Sequence, residues 1–313
     1  MKESISVAIP VYNRAAWISK TLDHIFEQSI PVDEVVLCDD GSTDNLEQAL
    51  EPYRSRVKLI QIENSGPAIA RKTAIENSQG DWIALCDSDD FWRPDHIESF
   101  LSAKAKFPES NLYFANFITT DEPDHTKFEF APEGWFEQLT GELWRESKHF
   151  YRCEQPFLRA LLEFQACFQS CLLFKRELYQ ATGGICKHVS RWPSEDFHLT
   201  ARMAAISDGV ICTKQTVLIN KHGENFSAEY VKNLEGEVSI LLDLLDQGLL
   251  PETLLEMVEQ QKDQFTKRLF RSYYWTSQFT KAVELARGIP GHSFSLRDRA
   301  RLAIAFVRGR LSL

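Results

Sequence analysis

No apolar run in this chain approaches the roughly 18 residues that a membrane-spanning helix requires, which excludes an integral membrane protein built on helices. Cysteine is scarce and irregular. The seven residues at 38, 86, 153, 167, 171, 186 and 212 are odd in number and form no Cys-x-x-Cys pair. A disulfide framework or zinc site is therefore not expected, and a reducing cytoplasm suits the chain. The residues from Met1 to Ser4 are polar and run straight into a strand-like stretch, without the apolar core of a secretory signal. Positive charge is in deficit, with 35 Lys and Arg against 45 Asp and Glu, and a net charge of -10 argues against a nucleic-acid partner. No Gly-x-Gly-x-x-Gly follows any candidate strand, so a dinucleotide-dependent oxidoreductase is excluded. The first candidate strand also lacks the glycine-rich phosphate loop that a nucleotidyltransferase needs. No internal repeat stands out.

What the chain has is length and an ordinary core-forming composition. Its 313 residues, 43% hydrophobic, can bury one large α/β domain plus an accessory segment. The charge is unevenly spread: from Lys267 onward ten basic residues face two acids, leaving that stretch near +8 and the rest near -18. Arg297, Arg299, Arg301, Arg308 and Arg310 interleave with Leu302, Ile304, Phe306, Val307 and Leu311. Such a helix can dock on its own acidic domain or lie on an anionic membrane surface as a peripheral contact.

The first 120 residues alternate β-rich and helical runs. Residues 5–11, 34–38, 57–62 and 82–86 read as four buried strands, each largely apolar as a strand covered on both faces should be. Between them, 16–27 places Trp17, Leu22, Ile25 and Phe26 at helical spacing. Asn64-Ser65-Gly66-Pro67 supplies a cap and a first-turn proline for a helix over 68–77. The pattern is βαβαβαβ, a parallel sheet flanked by helices. Beyond it, 112–119 and 168–174 read as strands, 176–181 and 196–205 as helices, and 121–155 as loop with short elements. Residues 231–248 and 251–287 carry helical spacing. The expected architecture is α/β and Rossmann-like, with a mostly parallel central sheet and a helical C-terminal extension. Its boundaries are 1–230 for the main domain, divided near residue 120, and 231–313 for the extension.

Ligands of an open parallel sheet bind beyond the carboxyl ends of its strands. Three strands end there in informative clusters: Pro10-Val11-Tyr12-Asn13-Arg14, Asp39-Asp40-Gly41-Ser42-Thr43-Asp44, and Asp87-Ser88-Asp89-Asp90. Asp39, Asp40, Asp87 and Asp89 thus gather at one edge. Crowded carboxylates repel one another, and a hard divalent cation such as Mg²⁺ or Mn²⁺, completing its shell with substrate phosphates, is the natural counterion. Taken alone, Asp-Gly-Ser-Thr-Asp is an ordinary turn and helix cap. The recurrence of acids after two buried strands about 50 residues apart is what points to a diphosphate-bearing substrate.

These residues resemble family 2 of the inverting glycosyltransferases, which have a GT-A fold. The resemblance rests on Pro10-Val11-Tyr12-Asn13, Leu22, Gln28, the run from Asp39 to Asp44, Asn64-Ser65-Gly66, Ala70-Arg71, Gly80, Asp87-Ser88-Asp89-Asp90, Trp92 and Pro94. A later patch adds Gly183-Gly184, Ser194-Glu195-Asp196 and Arg202. The resemblance implies a nucleotide-sugar donor, a divalent metal and a hydroxyl acceptor on a glycan or lipid-linked glycan. It implies that residues 1–120 bind the donor and that 121–230 face the acceptor.

Residue by residue, the resemblance implies that Pro10, Tyr12 and Asp39 border the nucleobase, with Asn13, Asp40, Asn64 and Arg71 nearby. Asp87 and Ser88 face the ribose or donor sugar, and Asp89 takes the metal with Asp87 beside it. Asp196 becomes the base that deprotonates the acceptor, with Glu195 adjacent. His222, in the run Lys221 to Ser227, falls where related enzymes carry a His followed by a Ser, and would close the metal or diphosphate site. As an aromatic close before Glu195, Trp192 would either stack on an acceptor sugar or belong to the core. Two departures stand out: Lys72 and Ala74 occupy positions where the family has Asn and Gly. The competing reading is a catalytically silent GT-A domain that binds a nucleotide sugar or serves as a scaffold. It would be expected to have lost one of Asp39, Asp87, Asp89 or Asp196, and all four are present.

Overall fold

The computed structural model describes residues 3–136, 149–153, 156–222, 230–289 and 291–311. They fall into two compact units, one drawn from Met1–Arg191 and Glu195–Glu224, the other from Trp192–Ser194 and Asn225–Leu313.

The strands of the first unit are β1 (Ile5–Val11), β2 (Glu34–Asp39), β3 (Lys58–Gln61), β4 (Trp82–Leu85), β5 (Phe91–Trp92), β6 (Leu112–Thr119), β7 (Phe150–Cys153), β8 (Leu172–Lys175) and β9 (Gly209–Ile219). Its helices are α1 (Ala15–Phe26), α2 (Leu46–Leu50), α3 (Pro67–Glu76), α4 (His96–Lys106), α5 (Leu158–Glu163), α6 (Arg176–Ala181) and α7 (Glu195–Ile206). The sheet runs β3-β2-β1-β4-β8-β6-β9-β5, with β7 also paired to β9. β1, β2, β3 and β4 are mutually parallel, as are β6 and β9. β8 lies antiparallel between β4 and β6, and β5 and β7 run antiparallel on β9. The sheet is therefore mostly parallel, as expected, with β8, β5 and β7 reversed.

All seven residues of β1 are buried. Side chains alternate across a strand, so both faces of β1 are covered, which explains its unbroken apolar character. On α1 the buried residues Ile18, Thr21, Leu22 and Ile25 recur at i, i+3, i+4 and i+7, the stripe that faces a sheet. The turn before α3 depends on Gly66, whose φ of 95° lies in the left-handed region. A Cβ there would come within 2.6 Å of the Ser190 carbonyl oxygen, so Pro67 can start the helix only with glycine before it.

Two sequence expectations need correction. The third strand is not buried: β3 is the edge of the sheet, and Lys58, Leu59 and Gln61 are exposed. Residues 168–174 are not one strand. A single 3₁₀ turn, Gln169–Cys171, precedes β8, because the Gln169 and Ser170 side chains are drawn into hydrogen bonds with other elements. The segment 251–287 is helical, as expected, and divides into two helices, described below. β9 carried no sequence signal. Its polar centre, Thr213-Lys214-Gln215, interrupts the apolar pattern where the β6–β9 register shifts around Asn116. The expected 121–155 loop contains a 3₁₀ turn at Lys127–Phe130 and β7, and residues 137–148 lie outside the described residues.

The second unit contains α8 (Tyr230–Asp246), α9 (Glu252–Trp275), α10 (Phe279–Ala286) and α11 (Leu296–Leu311). Ser277, at φ 60°, breaks the chain between α9 and α10. Leu234, Val238, Leu269, Phe270, Ala282 and Ala305 are buried in its core. Gly236 of α8 packs directly on the Pro193 backbone, where a Cβ would fall 1.9 Å from the Pro193 carbonyl oxygen. Among the described residues, no helix is long and apolar enough to cross a membrane.

Candidate active site

The ends of β1 and β2 are tied together by side chains acting on backbone. The Asn13 N–H donates to Ser42 Oγ at 2.9 Å, and Asn13 Oδ1 accepts from the Thr43 N–H at 2.8 Å. Asn13 itself has a φ of 50°, a conformation that asparagine tolerates better than most residues. Asp39 Oδ1 accepts from the Ser42 N–H at 2.9 Å, and Gln61 Nε2 reaches its Oδ2. Asp40 is turned away from solvent, with Oδ1 accepting from the Ser65 N–H at 2.7 Å and Oδ2 from the Gly66 N–H at 2.9 Å. Asn64 Nδ2 donates to the Asp40 carbonyl, and Arg191 Nη2 donates to Asn64 Oδ1 at 3.0 Å. Backbone amides therefore offset the charge of Asp39 and Asp40, and these two acids need no cation to coexist with the other pair. Pro10 is buried in β1, whereas Tyr12, just beyond the strand, is 44% exposed.

The second acid cluster follows β4. Asp90 is the most enclosed member: Ser170 Oγ donates to its Oδ2 and the Asn220 N–H to its Oδ1. Burial, and then Asp87 and Asp89, push its carboxyl well above the usual range. Ser88 is buried, and its carbonyl accepts from Thr21 Oγ1. Asp89 Oδ2 receives Arg14 Nε at 2.9 Å and stands 2.9 Å from His222 Nε2. The His222 ring stacks on Trp17 with centroids 5.6 Å apart. Thus His222, from the far end of β9, meets Asp89. The rest of its run, residues 223–227 including Ser227, lies outside the described residues.

Arg71 of α3 joins this cluster to α7. Its Nη1 donates to both oxygens of Glu195, at 2.7 and 2.8 Å, and its Nη2 donates to Asp87 Oδ1 at 3.1 Å. Arg71 and Glu195 are both buried. Burial raises Glu195 to about 7 even against the pull of Arg71, and Asp196 adds to the rise. Asp87 is also raised, first by loss of solvent and then by Asp89, with Arg71 opposing. Asp196 is half-buried at the head of α7, its Oδ1 accepting from the Phe197 N–H, and Gln169 Nε2 fixes its carbonyl at 2.9 Å. Trp192 is half-buried and falls with the second unit.

The donor set suits a hard divalent cation: carboxylate oxygens of Asp87 and Asp89, with the His222 imidazole beside Asp89. Arg14 already places positive charge on that carboxylate. Arg14 stood in the first sequence cluster without a role, and the sequence offered only its position after Asn13. Ser170, Gln169 and Arg191 gave no sequence signal at all, since each acts from a distant segment.

This sheet, with its reversed strand inserted beside β4 and acids at the β4 end, is the GT-A class of α/β domain. The sequence profile of Glycosyl transferase family 2 matches residues 6–181, more than half of the chain. The chain belongs to that family. Among curated proteins it is similar to Bacillus subtilis (strain 168) TuaG, named for a glycosyltransferase role in teichuronic acid biosynthesis, with 38% identity over 104 residues. That alignment covers 32% of this chain and 41% of TuaG. It is also similar to the glycosyltransferase GlyG of Streptococcus pneumoniae serotype 4 (strain ATCC BAA-334 / TIGR4), 32% identical over 128 residues, 40% of this chain and 42% of GlyG. The chain thus spans about two fifths of the length of these relatives. Among solved structures it is similar to S. aureus TarS 1-349 in complex with UDP-GlcNAc, with a TM-score of 0.67 and 19% identity over 97% of this chain and 89% of that one. The mannosyltransferase PcManGT from Pyrobaculum calidifontis, in complex with GDP-Man and Mn²⁺, gives a TM-score of 0.59 and 19% identity over 98% and 80% of the two chains. These likenesses are of fold.

Proposed function

We propose that this chain is an inverting glycosyltransferase that moves a sugar from a nucleotide-diphosphate sugar, a UDP-sugar favoured, to a hydroxyl of a glycan acceptor. The observation that carries this reading is Arg71, which joins Glu195, 124 residues away, to Asp87. That contact brings the acid read here as donor-facing beside the acids at the head of α7, which supports a site in which donor and acceptor meet between them. In this reading residues 1–120 hold the donor, residues 121–230 face the acceptor and residues 231–313 form a helical extension.

Tyr12, exposed beside the backbone of Pro10, borders the nucleobase together with Asp39. Asn13, Asp40 and Asn64 shape the turns that receive it, and Asp87 and Ser88 lie toward the ribose or donor sugar. Asp89, with Asp87 and His222, would hold Mn²⁺ or Mg²⁺, which when bound supplies positive charge opposite the diphosphate. Glu195 has both oxygens committed to Arg71 and acts as a positioning residue. Asp196 is then the base. It takes the acceptor hydroxyl proton as that oxygen bonds to the anomeric carbon and the bond to the diphosphate oxygen breaks, inverting the centre.

UDP is favoured on the likeness to TarS, with GDP as the rival base that PcManGT brings. The TuaG likeness favours cell-surface polysaccharide or lipopolysaccharide assembly, with a glycan or lipid-linked glycan as acceptor. A cytoplasmic location follows, with peripheral membrane contact through the basic C-terminal helix. The test is thermal melting with Mn²⁺ and a panel of nucleoside diphosphates, on the intact protein and on Asp89→Ala, followed by NMR of the anomeric proton in any product. One nucleotide should raise the melting point only with metal and only in the intact protein. If no nucleotide raises it in either form, the reading fails.

A further inference from the structure

The basic helix α11 packs with its sides reversed from the usual arrangement. Its inward stripe consists of Asp298, half-buried Leu302, Ala305 and Gly309, spaced i, i+4, i+7 and i+11. Ala305 is fully buried, and Gly309 lies against Phe279 and Thr280 of α10. The small residues and the paired acid thus face the protein. On the opposite side Leu296, Ala300, Ala303, Ile304 and Val307, at i, i+4, i+7, i+8 and i+11, are all exposed. Leu296 is 83% exposed and Val307 58%. A helix that merely covered its own core would turn these larger apolar residues inward.

The surroundings of this stripe are cationic and aromatic. Exposed Arg297 and Arg308 flank it on one side and exposed Arg299 on the other. Trp275, at the end of α9 and 69% exposed, lies beside the helix, with the Arg301 guanidinium 5.4 Å from its ring. From Lys267 onward ten basic residues face two acids, and one of those, Asp298, is buried and bound by Arg271 and Arg301. Apolar side chains between arginines, with a tryptophan at the margin, match the depth profile of a lipid headgroup region, where anionic headgroups meet the arginines and acyl chains the stripe.

We infer that the outward face of α11, with Trp275 at its edge, lies on an anionic lipid surface, Leu296, Ile304 and Val307 entering below the headgroups. This deepens the peripheral-contact reading above and assigns the face that makes the contact. Docking of α11 on the helical unit and binding to lipid are therefore compatible, because they use opposite sides of one helix.

The full chain is sedimented with vesicles of phosphatidylcholine alone and of equal parts phosphatidylcholine and phosphatidylglycerol. Binding should require phosphatidylglycerol and weaken as salt is raised. Leu296→Glu with Val307→Glu should weaken it by about tenfold or more, and Arg297→Gln with Arg299→Gln should weaken it by a smaller factor. Circular dichroism and the nucleotide-dependent melting shift should be unchanged in both variants, so loss of vesicle binding is separable from loss of the transferase site. Equal binding by the Leu296→Glu, Val307→Glu variant overturns the inference. So does a dimer in analytical ultracentrifugation that this variant converts to monomer, which would make a second copy the occupant of the face.

Discussion

The guanidinium of Arg71 is shared among acids from two motifs: Nη1 lies 2.7 Å from Glu195 Oε1, and Nη2 lies 3.1 Å from Asp87 Oδ1. All of this occurs in a setting where Arg71 is 4% and Glu195 8% exposed. A buried ion pair of this kind contributes little net stability, because desolvation offsets the attraction, yet it fixes geometry and is costly to break. Its value here is positional. It sets α7, and with it Asp196, against the acids that follow β4.

That balance predicts an asymmetric mutational cycle. At pH 8, where Glu195 is ionised, Arg71→Met strands it without a partner and should cost about 3–5 kcal/mol in urea denaturation, whereas Arg71→Met with Glu195→Leu should cost less than the single change. Both should abolish transfer. A double variant less stable than Arg71→Met would show that the pair stabilises the fold rather than positioning the motif.

Glu195 also sets a pH dependence. Burial holds its carboxyl near 7, above its ordinary 4.5, so between these values the folded protein keeps a proton that the unfolded chain has released. Its contribution is present below about 4.5 and is lost as pH rises through 7. Glu195→Gln, which cannot ionise, should therefore gain stability relative to the parent between pH 5 and pH 8, read as urea midpoints. A constant difference across that interval would show that Glu195 remains ionised throughout.

The parts of this arrangement that the sequence displayed are those made by contiguous residues. Continuous apolar runs announce β1, β2 and β4, because strands buried on both faces tolerate little else, and the acids directly after β2 and β4 fall at the ligand edge by topology alone. The resemblance to a family supplied the grouping of Asp87, Asp89 and Asp196. The division of labour among the acids was not visible. Asp40 reads like Asp89 in sequence, yet it is consumed by the Ser65 and Gly66 amides, while Asp89 faces Arg14 and His222. Ser170 reaches Asp90 only because β8 is inserted between β4 and β6, a crossover no local pattern encodes. The exposure of β3 is hidden for the same reason: its place at the sheet edge depends on strand order and not on its own residues.

The two neighbours of Asp89 predict opposite effects on cation binding. Arg14 competes for Asp89 Oδ2, and His222 offers a nitrogen beside it. Arg14→Gln should tighten Mn²⁺ binding by about tenfold in isothermal titration, the effect of removing one adjacent positive charge in a partly screened site. His222→Ala should weaken it. Weaker binding in Arg14→Gln would mean that the arginine orients Asp89 rather than opposing the metal.

In the second unit, the carboxylate of Asp298 accepts from Arg271 Nε and Nη2 at 3.0 and 2.8 Å, from Arg301 Nη1 at 2.7 Å and from Ser295 Oγ at 2.7 Å. The Asp298 N–H returns a bond to Ser295 Oγ, so the acid also closes the cap of α11. Hydrogen bonds from Arg271 first, then from Ser295 and Arg301, hold this carboxyl well below the ordinary carboxylate range. The stabilisation is therefore present above the unfolded value, near 4, and is lost as pH falls toward the depressed folded value. Asp298→Asn should destabilise the helical unit by about 3 kcal/mol at pH 7 and flatten its acid sensitivity. Hydrogen exchange should then accelerate across α9 and α11 while β1 and β4 stay protected. Faster exchange in the β-sheet as well would mean that the two units unfold together, and the bracket around Asp298 would then support the whole chain rather than its helical part.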